Sequence, residues 1–238
     1  MTSLPQPKEF LCIAHRGASG YVPENTIESF SKAIELGAGW IEFDVRVVEG
    51  APVVFHDATL TRLTGAEGTI EEQSLDYVRS LQVHHRGQIP LLREALALLR
   101  GRACAQIELK GSGSGSATAA MVGAELQNGW KPEEFLVSSF LEEELLEFHR
   151  AHPQIPTGVL SRQLTPDVLS LARQMGAYSI HLKFRTLRAD DITLVHENGF
   201  KLFTYTVNDS KDLLAMYSLG VDGVFTDYPD RVLSKSFL

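Results

Sequence analysis

Apolar runs of strand length alternate with amphipathic stretches of helical period along most of this chain. Nine runs have strand character: 11–15, 40–47, 52–56, 104–109, 135–140, 157–160, 178–182, 200–207 and 221–226. The helical patterns occupy 25–37, 91–100, 116–128, 141–150, 165–175, 188–198 and 209–219. Strands that alternate with helices pair in parallel, because each helix returns the chain to the same end of the sheet. The sequence therefore predicts an α/β fold.

The third run departs from this alternation. Only Glu49-Gly50-Ala51 separates it from the second run, and a connection of that length makes an antiparallel hairpin. The remaining eight strands fit a TIM (β/α)8 barrel, a fold of about 250 residues. We therefore predict one domain over 1–238, a TIM barrel with a β-hairpin extension after its second strand. A doubly wound open sheet is the alternative.

Acids and histidines stand at the ends of the early strands. His15 ends the first run, His56 the third, and Glu108 the fourth. Glu42 and Asp44 share one face of the second run, because strand side chains repeat every two residues. In a hairpin, His56 then lies opposite Asp44 to within one residue. Active sites of TIM barrels lie at the carboxyl ends of the strands, so we expect these side chains to meet there.

The three acids predict a metal site. Carboxylate oxygens are hard ligands that suit one divalent cation, Mg²⁺ or Ca²⁺, with Mn²⁺ also compatible. Glu42 and Asp44 lie among apolar neighbours, where an unpaired charge is costly. A bound metal would hold a phosphate oxygen and lower the pKa of a bound hydroxyl or water.

The histidines and two cations complete the parts for attack on a phosphate ester. His15 and His56 are candidates for general base and general acid, each worth roughly 10²–10⁴-fold when positioned. Arg16 and Lys110 would stabilise the charge that develops on the phosphoryl oxygens. A histidine at a strand end also fits a structural role, and Lys110 also fits a simple ion pair with a neighbouring acid.

Eight short motifs carry a resemblance to a known family. They are His15-Arg16-Gly17, Pro23-Glu24-Asn25-Thr26, Glu42-Phe43-Asp44, His56-Asp57-x-x-Leu60-x-Arg62-x-Thr64, Ile89-Pro90-Leu91, Glu108-Leu109-Lys110, Thr206-Val207-Asn208 and Gly223-Val224-Phe225-Thr226-Asp227-Tyr228-Pro229. Their order over residues 11–233 resembles the glycerophosphodiester phosphodiesterase family, in particular its small soluble bacterial members. The resemblance implies a TIM barrel with an insertion at about 57–88 and a divalent metal. It also implies hydrolysis of glycerophosphodiesters to sn-glycerol 3-phosphate and an alcohol.

The resemblance also assigns expectations to single residues. It places Glu24 near the metal, as a ligand or as structural support, with Asn25 beside it; Asn25 would otherwise cap the first helix. Tyr205 stands where the family commonly has tryptophan, which leaves the fit of the substrate open, although a phenol can still pack over a glycerol moiety. The attacking group is expected to be a glycerol hydroxyl, giving a cyclic phosphate that water then opens.

Three further features are interpreted more plainly. The alternating glycine and serine residues 111–116 are typical of a flexible stretch, which we interpret as a disordered loop, with a mobile lid as the alternative. His181, on the sixth barrel strand, is expected in a core or pairing role. Asp222 and Asp227, around the last strand, are expected to cap and orient.

Composition excludes several partners. The net charge is −8 without a Lys/Arg cluster, which argues against nucleic acid. No apolar run approaches the roughly 18 residues of a membrane span, and Met1 to Phe10 lacks the pattern of a signal peptide. We therefore expect a cytoplasmic protein without stable membrane association and with a small-molecule substrate. Cys12 and Cys104 are expected to be buried thiols rather than a disulfide. The sequence specifies neither the head-group alcohol nor an oligomeric state.

Two other functions stay open on the sequence alone. One is a phosphodiesterase of the same fold that acts on lysophospholipids or resembles sphingomyelinase D. The lack of an export signal and of a basic or aromatic membrane face argues against it. The other is a non-catalytic binding barrel, which would be expected to lose at least one histidine or acid, and none is missing here.

Overall fold

The computed structural model describes residues 10–238, so the segment on which the expectation of no signal peptide depends lies largely outside the described residues. Its nine strands are β1 (Leu11–Ala14), β2 (Trp40–Val48), β3 (Ala51–Val54), β4 (Cys104–Leu109), β5 (Phe135–Ser139), β6 (Thr157–Ser161), β7 (Ser179–Lys183), β8 (Lys201–Tyr205) and β9 (Gly223–Thr226). Strand β1 pairs in parallel with both β2 and β9, which closes eight strands into a barrel. The predicted TIM barrel is confirmed, and the open sheet is wrong.

Helices follow the barrel strands, and the seven that were predicted have bounds within two residues of the predictions, whereas α2, α3 and α10 were not predicted. They are α1 (Ile27–Glu35), α2 (Thr61–Thr64), α3 (Leu75–Ser80), α4 (Leu92–Leu99), α5 (Ser114–Gln127), α6 (Glu142–Ala151), α7 (Pro166–Met175), α8 (Ala189–Glu197), α9 (Ser210–Leu219) and α10 (Pro229–Leu233). Helices α2 and α3 belong to the insertion. Helix α7 begins and ends at residues typical of helix ends. Thr165 is its N-cap, Pro166 is its first residue, and Gly176 ends it in a left-handed conformation.

The hairpin between β2 and β3 has the predicted antiparallel pairing, with Val45 opposite Val54. Glu49 and Gly50 both have positive φ angles, 47° and 80°, as a tight two-residue turn requires. The main-chain nitrogen of Phe55 donates to Asp44 O at 3.0 Å. His56 therefore lies one residue beyond the position opposite Asp44, as expected.

The insertion between β3 and α4 has its own small core. Its buried side chains include Leu60, Leu63, Ile70, Val78 and Val83, packed against residues of β2 and β3. This separate cluster fixes the insertion beside the mouth of the barrel, because its apolar side chains are removed from water together with those of the hairpin.

Inside the barrel, apolar side chains fill the lower part. Ile13, Leu136, Phe203 and Phe225 form a buried cluster that is distinct from the larger core between strands and helices. Polar residues stand at the carboxyl ends of the strands, beyond this cluster, so that end of the barrel can hold a functional site. Cys12 and Cys104 are both free thiols, as expected, but only Cys12 is buried; Cys104 is partly exposed, so its expected burial was wrong.

The glycine- and serine-rich stretch 111–116 is neither a disordered loop nor a lid, and that interpretation was wrong. Ser114 begins α5, and the Glu144 carboxylate of α6 accepts hydrogen bonds from the main-chain nitrogens of Gly113 at 3.0 Å and Gly115 at 2.7 Å. A Cβ at Gly115 would clash with the main-chain oxygen of Glu144. The small residues therefore permit close packing of α5 on α6.

In residues 10–238, we find no helix with both the length and the apolar character needed to cross a bilayer.

Candidate active site

Most of the predicted site residues line one pocket at the carboxyl end of the barrel. They are His15, Arg16, Glu42, His56, Glu108, Lys110 and Tyr205. Asp44 is fully buried beside them. Strand pairing brings part of this set together, since Asp44 and Glu108 lie directly opposite each other on β2 and β4.

The three predicted acids form a tight cluster. One oxygen from each of Glu42, Asp44 and Glu108 lies within 4.8 Å of the others. Burial raises the pKa of Glu42 well above its usual range, and the neighbouring carboxylates of Asp44 and Glu108 add to this effect. Burial, with repulsion from Asp44, likewise raises the pKa of Glu108 to about 7. Three carboxylates this close and this buried repel one another strongly unless a cation shares them.

Asp44 is the carboxylate that the surrounding cations keep ionised. Burial alone would raise its pKa, but the Arg16 guanidinium and the Lys110 ammonium hold the pKa below its usual range. The Asp44 oxygens lie 3.2 Å from Arg16 Nε and 3.4 Å from Lys110 Nζ. Asn25 Nδ2 also donates to Asp44 Oδ2 at 2.8 Å.

Each acid of the cluster has one buried oxygen without a hydrogen-bond partner among the described residues; those of Asp44 and Glu108 lie near Lys110 Nζ, whereas that of Glu42 has no such ion pair. Glu42 Oε2 accepts a hydrogen bond from the main-chain nitrogen of Arg16 at 2.7 Å, whereas Glu42 Oε1 is buried without a hydrogen-bond partner among the described residues. Buried polar atoms are rarely left unsatisfied. An unpartnered carboxylate oxygen within a group of hard oxygen donors fits a divalent cation.

The ring of His15 is held by an aspartate that follows β9. Its Nδ1 donates to Asp227 Oδ1 at 2.7 Å. Asp227 also accepts from Ser19 Oγ at 2.9 Å and from Asn208 Nδ2 at 2.6 Å. Although burial opposes it, the hydrogen bond from His15 and the others lower the pKa of Asp227 to about 2. Asp227 is therefore ionised and orients His15, the role expected from the sequence.

His56 has the same arrangement. Its Nδ1 lies 2.5 Å from Asp57 Oδ1, and Arg46 Nε donates to its main-chain oxygen at 2.9 Å. Burial lowers the pKa of His56, although the Asp44 carboxylate acts in the opposite direction. The two histidines thus each use Nδ1 for an aspartate, which leaves Nε2 as the nitrogen available for proton exchange.

The turn after β1 places Arg16. Arg16 and Gly17 have φ angles of 55° and 82°, and a Cβ at Gly17 would clash with Ser29 of α1. Left-handed backbone at a residue other than glycine is uncommon and often found at functional sites. The turn directs the Arg16 main-chain nitrogen at Glu42 and its side chain at Asp44.

Lys110 and Tyr205 form another wall of the pocket. Lys110 Nζ lies 2.5 Å from Glu108 Oε1, so the ion pair considered from the sequence is present. The same ammonium lies 5.7 Å from the centre of the Phe140 ring. Tyr205 packs edge-on against Phe140 and donates its hydroxyl to Ser161 O at 2.8 Å.

The Glu24-Asn25-Thr26 segment supports the site from behind. Glu24 Oε1 accepts from Arg16 Nη1 at 2.6 Å, and Asn25, with a φ of 56°, bonds Asp44. The N-cap of α1 is Thr26, whose side chain accepts from the Ser29 nitrogen at 3.1 Å. The alternative in which Asn25 caps the helix was therefore wrong.

Several pocket residues were not predicted. Gln106, Phe140, Leu160, Thr206 and Phe225 also line it. Gln106 lies two residues before Glu108 on the same strand, so the period of two could have identified it. Thr206 and Phe225 belong to motifs but had been given no role, whereas Phe140 and Leu160 come from the end of β5 and from β6, strands that carry no charged residue to signal a site. Asp57 was part of a motif but had been given no role.

A closed parallel barrel with histidines, acids and cations at the carboxyl ends of its strands is the architecture of a TIM-barrel enzyme. Comparison with known proteins names the family. The model of the glycerophosphoryl diester phosphodiesterase family matches residues 15–231. A glycerophosphodiester phosphodiesterase of Caldanaerobacter subterraneus subsp. tengcongensis is 32% identical and covers 94% of this chain and 96% of its own. A second, from Bacillus altitudinis, is 31% identical, with 92% and 95% covered.

Solved structures agree. A phosphodiesterase of Oleispira antarctica, in complex with its product sn-glycerol-3-phosphate, superposes with a TM-score of 0.87 at 29% identity, covering 94% of this chain and 95% of the other. The glycerophosphodiester phosphodiesterase of Thermotoga maritima superposes with a TM-score of 0.79 at 25% identity, covering 95% of this chain and 98% of the other. The chain belongs to the glycerophosphoryl diester phosphodiesterase family and is an enzyme of that class.

Proposed function

We propose that this enzyme hydrolyses glycerophosphodiesters, with a divalent metal, to sn-glycerol 3-phosphate and an alcohol. The observation that carries the proposal is a cluster of three carboxylates, two buried and one partly buried, with oxygens within 4.8 Å of one another at a pocket shared by two histidines. The names of the relatives and the product bound to the Oleispira antarctica enzyme support the substrate class.

We propose Glu42, Asp44 and Glu108 as the ligands of one divalent cation, Mg²⁺ or Ca²⁺, with Mn²⁺ also suited to the oxygen donors. When bound, such a cation supplies Lewis-acid stabilisation of the charge on a phosphate oxygen. Asn25 holds Asp44 in place, and Glu24 holds Arg16. We assign both residues as supports of the ligand set rather than as ligands, because their hydrogen bonds go to Asp44, Arg16 and Arg62.

His15 and His56 are proposed as the general acid and general base. A phosphodiester needs a proton removed from the attacking hydroxyl and a proton delivered to the leaving oxygen. Each ring is fixed through Nδ1 by an aspartate, so each Nε2 can hold or accept one proton in a defined direction. A glycerol hydroxyl as the attacking group would give a cyclic phosphate that water then opens.

Arg16, Lys110 and Tyr205 are proposed to bind the substrate. Arg16 and Lys110 place positive charge beside the phosphoryl group, where negative charge develops. Lys110 would exchange part of its ion pair with Glu108 for a phosphate oxygen. The ring of Tyr205, with Phe140, offers an apolar surface for the glycerol carbons.

The test is release of glycerol 3-phosphate from glycerophosphocholine, glycerophosphoethanolamine and glycerophosphoinositol by chelator-treated protein, before and after addition of Mg²⁺, Ca²⁺ or Mn²⁺. We expect metal-dependent release, and His15→Ala and His56→Ala should each lower kcat by about 10²–10⁴-fold. His84→Ala, which removes an exposed histidine of the insertion, is the matched control. Absence of product with every substrate and metal would contradict the proposal, and lysophospholipids would then be tested.

A further inference from the structure

The guanidinium of Arg62 joins two acids that lie behind different parts of the site. It donates to Asp57 from Nε at 2.6 Å and from Nη2 at 2.8 Å. It also donates to Glu24 from Nη1 at 2.9 Å and from Nη2 at 2.8 Å. Four hydrogen bonds from one planar group fix the relative position of two carboxylates, which the single ammonium of a lysine cannot do.

Each of these acids in turn holds a side chain of the pocket. Asp57 Oδ1, bonded by Arg62, is also the oxygen beside His56 Nδ1. Glu24 Oε1, bonded by Arg62, also accepts from Arg16 Nη1. The sequence of contacts therefore runs from His56 through Asp57, Arg62 and Glu24 to Arg16. Arg62 does not line the pocket.

The insertion determines where Arg62 lies. Arg62 belongs to α2, and its neighbours Leu60 and Leu63 are both buried in the small core of the insertion. The Arg62 side chain itself is 48% exposed. Exposed ion pairs contribute little to folding stability, so a network of this geometry is better explained by the positions it imposes than by the stability it adds.

We propose that Arg62 is a positioning residue that holds His56 and Arg16 in their working arrangement through Asp57 and Glu24. The inference rests on the proposed function, since it assigns to His56 the proton transfer and to Arg16 the phosphoryl charge. It also gives the insertion a role: it brings one guanidinium to the edge of the barrel mouth from outside.

The first experiment compares Arg62→Ala and Arg62→Lys with wild type in the glycerol 3-phosphate assay. Both variants should lose about 10–100-fold in kcat/KM, the range for residues that orient groups of a metal site. Thermal unfolding should stay close to that of wild type. Because the Arg62 site is open to solvent, added guanidinium ion should restore part of the activity of Arg62→Ala and none of that of Arg62→Lys, where the ammonium occupies the site.

Arg79→Ala is the matched control. Arg79 also lies in the insertion and binds both oxygens of one carboxylate, Glu94, at 2.7 and 2.8 Å, but the other hydrogen bonds of that pair go to the main chain of Ile89 and Leu91, which do not line the pocket. Its kcat/KM should stay near the wild-type value. A loss equal to that of Arg62→Ala would mean that loosening the insertion, rather than the link through Asp57 and Glu24, is responsible, and would overturn the inference.

A second experiment tests the route. In an Asp57→Asn/Glu24→Gln background, Arg62→Ala should cost little further activity, because both partners of the guanidinium are already altered. Two outcomes would overturn the inference and leave the proposed function standing. One is that Arg62→Ala keeps wild-type activity; the other is that Arg62→Ala causes its full loss again in the altered background. Wild-type protein without activity on any glycerophosphodiester would instead overturn the proposed function.

Discussion

The two ends of strand β9 carry the same pair of residue types. Asp222 precedes the strand and lies 2.7 Å from His196 Nε2, whereas Asp227 follows the strand and lies 2.7 Å from His15 Nδ1. At the amino end, Asp222 also lies 3.2 Å from Lys201 Nζ and accepts from the Leu202 nitrogen at 2.9 Å. These contacts satisfy its charge locally and tie α8 to the sheet.

At the carboxyl end, His15 of the corresponding pair lines the pocket with Glu42, Arg16 and Glu108, and Asp227 holds it from behind. The like charges of this end are buried together, which raises the pKa of Glu42 and Glu108. A histidine–aspartate pair is therefore not in itself a sign of chemistry. What distinguishes a structural pair from a catalytic candidate is the end of the barrel at which the pair lies and the charged side chains that lie near it.

The largest predicted effect separates the two aspartates. Asp227→Asn should lower kcat by up to about 10⁴-fold, the loss found where an aspartate that orients a catalytic histidine is replaced. Asp222→Asn should leave kcat near that of wild type and lower the free energy of unfolding by about 1–3 kcal/mol, because it weakens hydrogen bonds to a buried charge. Steady-state kinetics and urea unfolding measure the two quantities. Equal losses of kcat would abolish the distinction between the ends.

The second prediction concerns the stability cost of the carboxylate cluster. With a folded pKa of about 7 against 4.5, folded Glu108 binds more protons than unfolded Glu108 between these values. The contribution of Glu108 to the free energy of unfolding of metal-free protein should therefore fall as pH rises through this window, by at most about 3 kcal/mol, and the difference between wild type and Glu108→Gln isolates that contribution. Glu108→Gln should remove this loss and be more stable than wild type at pH 8. Urea unfolding at pH 5 and pH 8 measures it.

Added metal provides the control for that prediction. A bound divalent cation should raise the stability of wild type, by about 2.7 kcal/mol at a hundredfold excess over Kd, and raise that of Glu108→Gln less. A difference in free energy of unfolding between wild type and Glu108→Gln that stays the same at pH 5 and pH 8 without metal would contradict the cost assigned to the cluster.

The smallest predicted effect lies between the two ends. His181 is fully buried, its Nε2 lies 2.8 Å from Ser179 Oγ, and burial lowers its pKa to about 3. Between pH 3 and 6.5 the unfolded chain binds the extra proton, so the contribution of His181 to the free energy of unfolding should fall by about 1.4 kcal/mol per pH unit below 6.5. That is about 2 kcal/mol between pH 6.5 and pH 5.

His181→Gln should make this dependence on pH shallower without changing kcat at pH 7.5, since His181 does not line the pocket. Urea unfolding of wild type and variant at pH 6.5 and pH 5 makes the measurement. An unchanged slope would show that His181 is protonated in the folded protein.

The sequence predicted the parts of this molecule that depend on local pattern. The period of two placed Glu42 and Asp44 on one face, and the three-residue connection placed His56 beside Asp44. Both follow from strand geometry, which leaves few alternatives. His181 took the core role expected of it because it alternates inward on its strand.

The rest depended on contacts between distant segments. Residues 113–116 have the composition of a linker, yet Glu144, about thirty positions away, caps them as a helix. The link from Asp57 through Arg62 to Glu24 was hidden for the same reason, because its partners lie up to 38 positions apart. Motifs showed which residues matter, but not which side chain holds which.

The most direct test of the central claim is the anomalous scattering of Mn²⁺ in crystals of this enzyme grown with that ion and sn-glycerol 3-phosphate. We predict one strong peak at the carboxyl end of the barrel, in contact with Glu42, Asp44 and Glu108, with the phosphate between Arg16 and Lys110. Crystals with the product bound but without a peak at these carboxylates, or with the peak at another site, would contradict the account.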